Sequence, residues 1–283
     1  MGLKGTLGIV SAFMGKNDKK LTWDDAAQLM STGRWDAANH SKSHDMSTFS
    51  SLSVAGLREE INGGRADIIS HLPGQKVLSF YTPGGVSSDN IVNVTKEEHL
   101  VLRLAGGNLN SWPLSMGDLY AVKVCGPLAG TTSSTMNSWL DSAISGKKWL
   151  VEMWHGVGDD ASDWGGNCAE ADATAHLEYV ASKNNAGKIW VATLDEVAIY
   201  NAERLAANIQ KVSETSSQTV LSLTDNLDDA VYDQALTLNV TIPSGKSGAT
   251  VTCAGSNLVA TVANGKISFS VAPDKGNITI NWV

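Results

Sequence analysis

Gly5-Thr-Leu-Gly-Ile-Val-Ser-Ala-Phe13, with Leu21-Thr-Trp-Asp-Asp25 close behind it, is the stretch on which the fold class turns. The first segment is short and mostly apolar, and it reads as a buried strand. The second opens a helix that runs through Met30, with Thr22 as N-cap and Asp25 at the third helical position. The same unit recurs along the chain. Ser53 to Leu72 carries the 3.6-residue period in Leu57, Ile61, Ile68 and Ile69, with an interruption expected at Gly63-Gly64. Strands are expected at Val77–Tyr81, closed by Thr82-Pro-Gly-Gly85, and at His99–Leu104, Leu119–Cys125, Lys148–Trp154 and Lys188–Ala192. Helices are expected at Asp89–Thr95, Met136–Ile144, Ala169–Lys183 and Leu194–Ile209. Strand and helix therefore alternate to about residue 210, the pattern of an α/β fold with a parallel sheet or barrel.

Beyond that point the texture changes. Ser213-Glu-Thr-Ser-Ser-Gln218 reads as a polar linker, and the remainder of the chain is rich in Thr, Val, Asn and Gly. Thr219–Leu223, Leu236–Ile242, Thr250–Cys253, Leu258–Val262, Ile267–Val271 and Ile278–Trp282 alternate like short antiparallel strands. Ala263-Asn-Gly-Lys266 is a strong hairpin signal between two of them. The expected division is an α/β domain over 1–212 and a small β-sandwich-like domain over 213–283. Within the latter, Trp282 and Tyr232 are the main aromatic surface, thin for a sugar platform, so a packing or spacer role is expected.

Composition narrows the function classes. Of 283 residues, 42% are hydrophobic and 18% charged, which supports a packed core and argues against disorder. A net charge of −8 argues against nucleic acid or anionic membrane as the main partner. No run reaches the roughly 18 apolar residues of a membrane span, and no secretory leader is evident. Nine Trp are a mild pointer to carbohydrate, whose sugar faces stack on indole. Cys125, Cys168 and Cys253 allow at most one disulfide, with Cys125–Cys168 the pair considered; Cys125 otherwise looks like a buried thiol.

His40 and His44, in Ala38-Asn-His-Ser-Lys-Ser-His-Asp45, are a candidate half-site for a divalent metal. On a helix, residues i and i+4 share a face, so both rings could converge on one ion. Neutral imidazole suits zinc, cobalt or nickel. The alternative is two polar residues on a solvated turn. His155, after the Trp-rich run Trp149-Leu-Val-Glu-Met-Trp154, is either a catalytic histidine or one that merely ends a strand. His71, His99 and His176 are expected at the surface. The absence of His-Glu-x-x-His sets a zinc protease aside.

Taken in order, these segments resemble the NodB-type polysaccharide deacetylases, carbohydrate esterase family 4, over roughly residues 5 to 208. His40-Ser-Lys-Ser-His44 looks like the family's His-Ser/Thr-x-x-x-His metal motif, and Ser79-Phe-Tyr-Thr-Pro-Gly-Gly85 sits where the family has its Arg-x-Pro-Tyr/Phe-Gly strand end. Trp149–His155 is similar to the late strand that ends in Leu-His, and Gly187–Arg204 to the last strand and helix. The resemblance implies an incomplete (β/α) barrel, extracellular location and removal of acetyl groups from a polysaccharide, with acetylated xylan favoured. It also implies a divalent cofactor, zinc or cobalt, on His40 and His44. His155 would be the general acid, and Gly84 would offer an oxyanion-hole N–H. Trp154 and Tyr81 would contact substrate. Other domains of a secreted glycanase would be its neighbours.

The departures are specific. The family's Thr-Phe-Asp-Asp-Gly motif supplies the base and the third metal ligand. Here Thr22-Trp-Asp-Asp-Ala26 shares its letters, but only 14 residues separate Asp25 from His40, and Ala26 suits a helix better than a tight turn. Asp24 and Asp25 are therefore assigned to a helix start, and the family's first strand and helix are expected to be missing from this sequence. Tyr81 stands in the place of the motif's Arg, and Gly84 in that of its aromatic residue. Asp163-Trp164 has the letters of another family motif in the wrong order. The alternative function is a degenerate, non-catalytic module that binds glycan or spaces domains.

Overall fold

The computed structural model describes residues 1–17, 20–158 and 166–283. They form two compact units, Met1–Asp195 and Glu196–Val283. The first unit contains β1 (Gly5–Ile9), α1 (Trp23–Ser31), β2 (Trp35–Asn39), α2 (Val54–His71), β3 (Ser79–Tyr81), α3 (Asp89–Glu98), β4 (Val101–Gly107) and β5 (Val122–Val124). It continues through α4 (Ser133–Gly146), the short pair β6 (Gly156–Val157) and β7 (Asn167–Cys168), and α5 (Glu170–Asn185) to the first turn of α6 (Leu194–Ala206). The strands β1 to β5 form one parallel sheet in sequential order. This is the expected α/β class, in the strand order of an incomplete (β/α) barrel.

Local chemistry explains the elements. Thr22 and Asp25 close a full capping box on α1, so Asp25 serves a helix start, as read from the sequence. Ser53 and Ser88 cap α2 and α3. Ile9, Ala26, Ala37, Ile68, Leu72 and Val77 form one buried cluster. Phe49, Leu57, Ile61, Phe80, Ile91, Val94 and Leu102 form the next. At the N-terminal ends of the strands, Leu194 N–H donates to Thr6 Oγ1, the Thr193 hydroxyl bonds Asp36, and Asp195 accepts from Leu78 N–H and the Ser79 hydroxyl. Burial raises the Asp195 carboxyl to about 6.

Several expectations need correction. Gly63-Gly64 does not interrupt α2, because Gly64 lies where the helix presses on β2 and the loop after it: a Cβ there would stand 2.8 Å from Asn39 Oδ1. Lys148–Trp154 is not a laddered strand: its pairing is limited to two isolated bridges, Asn110 to Trp149 and Cys125 to Glu152. Lys188–Ala192 is not a strand. His99 and His176 are buried, not superficial. The His99 ring lies against Asn39, and His176 bonds Glu152 and Asn137. All three cysteines are free thiols.

The second unit is a two-sheet β-structure entered by α6. One sheet has the order β12-β11-β15-β9-β8 and the other β10-β14-β13. Their ranges are β8 (Asn208–Glu214), β9 (Gln218–Thr224), β10 (Leu236–Thr241), β11 (Ala249–Cys253), β12 (Ser256–Leu258), β13 (Ala260–Ala263), β14 (Lys266–Val271) and β15 (Ile278–Trp282). Leu221, Leu223, Leu238, Val251, Ile267, Phe269 and Ile280 fill the space between them. The Asn264-Gly265 hairpin is present, with both residues at positive φ as a type I′ turn requires. The stretch Ser213–Gln218 is not a linker: it holds the end of β8 and the turn into β9, so a boundary at 213 would cut a strand. Trp282 is 6% exposed and donates to Thr219 Oγ1, so it is core rather than sugar-facing surface.

Candidate active site at the strand ends

Asn39 closes β2 and Tyr81 closes β3, so the loops after them meet at the C-terminal edge of the parallel sheet, where open α/β sheets place their ligands. The backbone carrying the two histidines is not helical. Ser41 and His44 both have positive φ, 67° and 56°, and this tight loop folds the rings together. Their centroids lie 4.5 Å apart at 76°. Every strut of the loop is identifiable. His40 N–H donates to Ile9 O on β1, and Lys42 N–H to Glu60 O on α2. Asn39 Oδ1 accepts from Ser41 N–H while its amide donates to Ile61 O, and Ser41 Oγ accepts from His44 N–H.

His40 Nδ1 lies 2.7 Å from the Tyr81 carbonyl. A carbonyl only accepts, so Nδ1 carries the proton and Nε2 keeps its lone pair, the arrangement of a metal-ligating imidazole held by an outer partner. Burial drives the His40 imidazole down to about 3, with the Arg103 guanidinium adding to the shift. His44 is lowered mainly by burial and then by Arg103. His155 arrives from 111 residues further along the chain and joins this group: partial burial, Arg103 and His44 all lower its pKa. Three neutral histidines therefore share one electrostatic neighbourhood.

Sequence reasoning missed Arg103. It sits in Val101-Leu-Arg-Leu104, inside a buried parallel strand, and is 5% exposed. An arginine in such an apolar run was the available signal. Its guanidinium lies 4.4 Å from the Tyr81 ring centre. The cation thus reaches the Tyr81 ring from the neighbouring strand, where Arg103 is the register partner of Tyr81. The Tyr81 ring packs on Gly8, where a Cβ would come within 2.7 Å, and its phenol is pushed upward by burial.

The remaining expected residues divide. Gly84 is exposed on the loop leaving β3, at φ 62°, beside Met46. Trp154 stacks on His176 at 6.2 Å, against Met136, Cys168 and Ala173. Its ring is spent on packing α4 and α5. Asp163 and Trp164 lie outside the described residues. As a metal set, the pair fits in kind but not in number. Imidazole suits zinc or cobalt, yet among the described residues no group of three His, Cys, Asp or Glu is placed to hold an ion. Among the described residues no helix is long and apolar enough to cross a membrane.

No protein-family model matches the chain. A gellan lyase from a Bacillus species is 30% identical over 97 residues, covering 33% of this chain and 4% of that protein. Among solved structures, a polysaccharide deacetylase from Bacillus cereus is similar at 15% identity and a TM-score of 0.33, over 38% of this chain and 32% of that one. The carbohydrate esterase family 4 domain of a multidomain xylanase from the hindgut metagenome of Trinervitermes trinervoides is 12% identical, with a TM-score of 0.42, over 69% and 77%. A family 4 carbohydrate esterase from Streptomyces lividans, in complex with acetate, is 17% identical, with a TM-score of 0.37, over 64% and 76%. The chain thus spans about a third of the first of these structures and a small fraction of the lyase.

Proposed function

We propose that this chain is a polysaccharide deacetylase domain that removes acetyl groups from an extracellular glycan, acetylated xylan first among the candidates, within a larger secreted glycanase. The observation that carries this is the convergence of His40, His44 and His155 at the C-terminal edge of the sheet, in the motif order of that enzyme class. His40 Nε2 and His44 would hold zinc or cobalt, with the rest of its shell supplied from outside the described residues. Such an ion activates water and polarises the acetyl carbonyl. The chain's own residues would do the rest. The Tyr81 carbonyl orients His40. His155, neutral near pH 7, can take a proton and pass it to the departing sugar oxygen or nitrogen. The Gly84 N–H, on an exposed loop, can meet the developing oxyanion.

A second reading is favoured by two observations: no third ligand joins the pair among the described residues, and the cation at Arg103 opposes a metal. On that reading the domain is a non-catalytic glycan-binding module. Acetate release from acetylated xylan and acetylated chitin oligomers, with added zinc or cobalt, separates the two. Release that disappears in His155→Ala supports catalysis. No release from any acetylated glycan leaves the binding module.

A further inference from the structure

A cavity of about 590 Å³ opens at the C-terminal ends of β4 and β5, and none of His40, His44, His155, Tyr81 or Gly84 lines it. Gly107 and Asn108 border it where β4 ends, Cys125 and Gly126 just after β5, and Trp139 and Ser142 on α4. Its volume lies within the range of small-ligand clefts, about 300–1,000 Å³. Met153 also lines it, and the Met153 sulfur lies 3.0 Å from Arg103 Nη1, so the cavity adjoins the surroundings of the histidines.

The lining has a definite chemistry. None of its eleven residues is an acid, a base or a histidine, and burial pushes the Cys125 thiol up, which keeps it neutral. A charged ligand would lose hydration here without gaining a counter-charge. Leu109, Leu128 and Trp139 supply apolar wall. Trp154 and Trp282 are spent on packing, whereas Trp139 is half-buried: it rests on the Met136, Cys168 and Ala173 cluster and still lines the cavity. Its ring is therefore held in place before any ligand arrives. Two side chains add polarity. Asn108 Oδ1 accepts from Leu109 N–H, which leaves the amide nitrogen as a donor, and the Ser142 hydroxyl can donate or accept. At Gly107 a Cβ would meet nothing within 4 Å, so the end of β4 is uncovered.

We propose that this cavity is a saccharide subsite that takes a neutral pyranose unit of a glycan chain, with one sugar face against Trp139 and its hydroxyls on Asn108 and Ser142. A pyranose combines an apolar C–H face with uncharged hydroxyls, the same mixture as the lining. A lipid chain or an apolar peptide segment would leave Asn108 and Ser142 unpaired, and a uronate or amino sugar would bring a charge with no partner. The subsite rests on the glycan reading of the domain and serves the deacetylase and the binding module alike.

The test is calorimetric titration of the full chain with xylohexaose, hexagalacturonate and the chitosan hexamer at matched ionic strength, with acetate release from acetylated xylan measured in parallel. Saturable binding of xylohexaose is expected, with both charged hexamers at least about tenfold weaker. Trp139→Ala is expected to weaken xylohexaose about tenfold or more, and Trp139→Phe, which keeps an aromatic face, less. Asn108→Ala, on an exposed stretch outside the core, is expected to cost about threefold to tenfold, the range of one lost hydrogen bond. Circular dichroism establishes that each variant is folded, and Asn108→Ala decides the matter where Trp139→Ala is not. Wild-type protein that does not bind xylohexaose overturns the subsite, as does equal binding of a charged hexamer, or unchanged affinity in Asn108→Ala or in a folded Trp139→Ala. Xylohexaose binding without acetate release keeps the subsite and removes the deacetylase reading; acetate release without xylohexaose binding does the reverse.

Discussion

Two adjacent glycines in α2 should respond to the same substitution with opposite signs. Alanine at Gly63 would place its Cβ 3.6 Å from the Glu59 carboxylate, an ordinary contact on a flexible side chain. It should gain the usual helix preference of Ala over Gly, up to about 1 kcal/mol. Alanine at Gly64 would stand 2.8 Å from Asn39 Oδ1, 3.0 Å from Lys42 N and 3.1 Å from Ser41 C. Two of these are backbone atoms of the loop between the histidines, and they cannot swing aside. Overpacking of this kind costs about 1–3 kcal/mol. Displacing Asn39 also weakens its bond from Ser41 N–H, for about 1 kcal/mol more. Set against the helix gain, Gly64→Ala should destabilise by about 1–3 kcal/mol. It should also weaken zinc binding, since the loop it displaces holds His40 and His44. Urea denaturation of the two single variants, with a zinc titration of each, is the measurement. Equal stabilities, or a stable Gly64→Ala with unchanged metal affinity, would refute the claim that α2 buttresses the histidine loop.

The same geometry sets other outcomes. Zinc binding should be weak in the wild type, lost in His40→Gln, and about tenfold tighter in Arg103→Met, where a like charge has been removed; isothermal titration reads all three. Stability should fall on acidification between about pH 6.5 and 3. The unfolded chain binds protons there on His40 and His99, while both folded imidazoles are held near 3 by burial. Asp195, raised to about 6, works in the opposite sense: its contribution is fully present below the unfolded carboxyl value near 4 and lost as pH rises through about 6. Urea midpoints at pH 4.5 and 6.5 should therefore differ less in His99→Gln than in wild type, and an unchanged difference would contradict the assignment. A fragment starting at Glu196 should fold by circular dichroism, whereas one starting at Ser213 should not. The latter loses most of β8 and the Tyr200 and Ala207 packing on the sandwich core.

The parts of the fold legible in the sequence were those whose signal is local. The capping box at Thr22 and Asp25, the Asn264-Gly265 turn and the apolar period of α2 depend on residues within a few positions of one another. β8 was missed because all seven of its residues are exposed, which leaves no alternation to read. Lys188–Ala192 has strand-like composition, but pairing is a property of a neighbour that the composition does not name. In the site, the spacing of His40 and His44 was informative while the backbone inferred from it was not. Positive φ at Ser41 brings the rings together by a tight loop instead of a helical turn. Arg103 went unnoticed because its role comes from strand register, which sets it beside Tyr81 across two parallel strands.

The bonds made by Thr193, Leu194 and Asp195 at the feet of β1, β2 and β3 bridge 116 to 188 positions of sequence. Contacts so distant along the chain form late, because a long loop must close first. During synthesis, the strand ends that carry the histidines exist well before the residues that latch the opposite edge. The latch should then act on lifetime more than on assembly. Asp195→Ala should speed unfolding much more than it slows refolding, which makes the far side of the sheet from the chemistry the place where the protein's persistence is set.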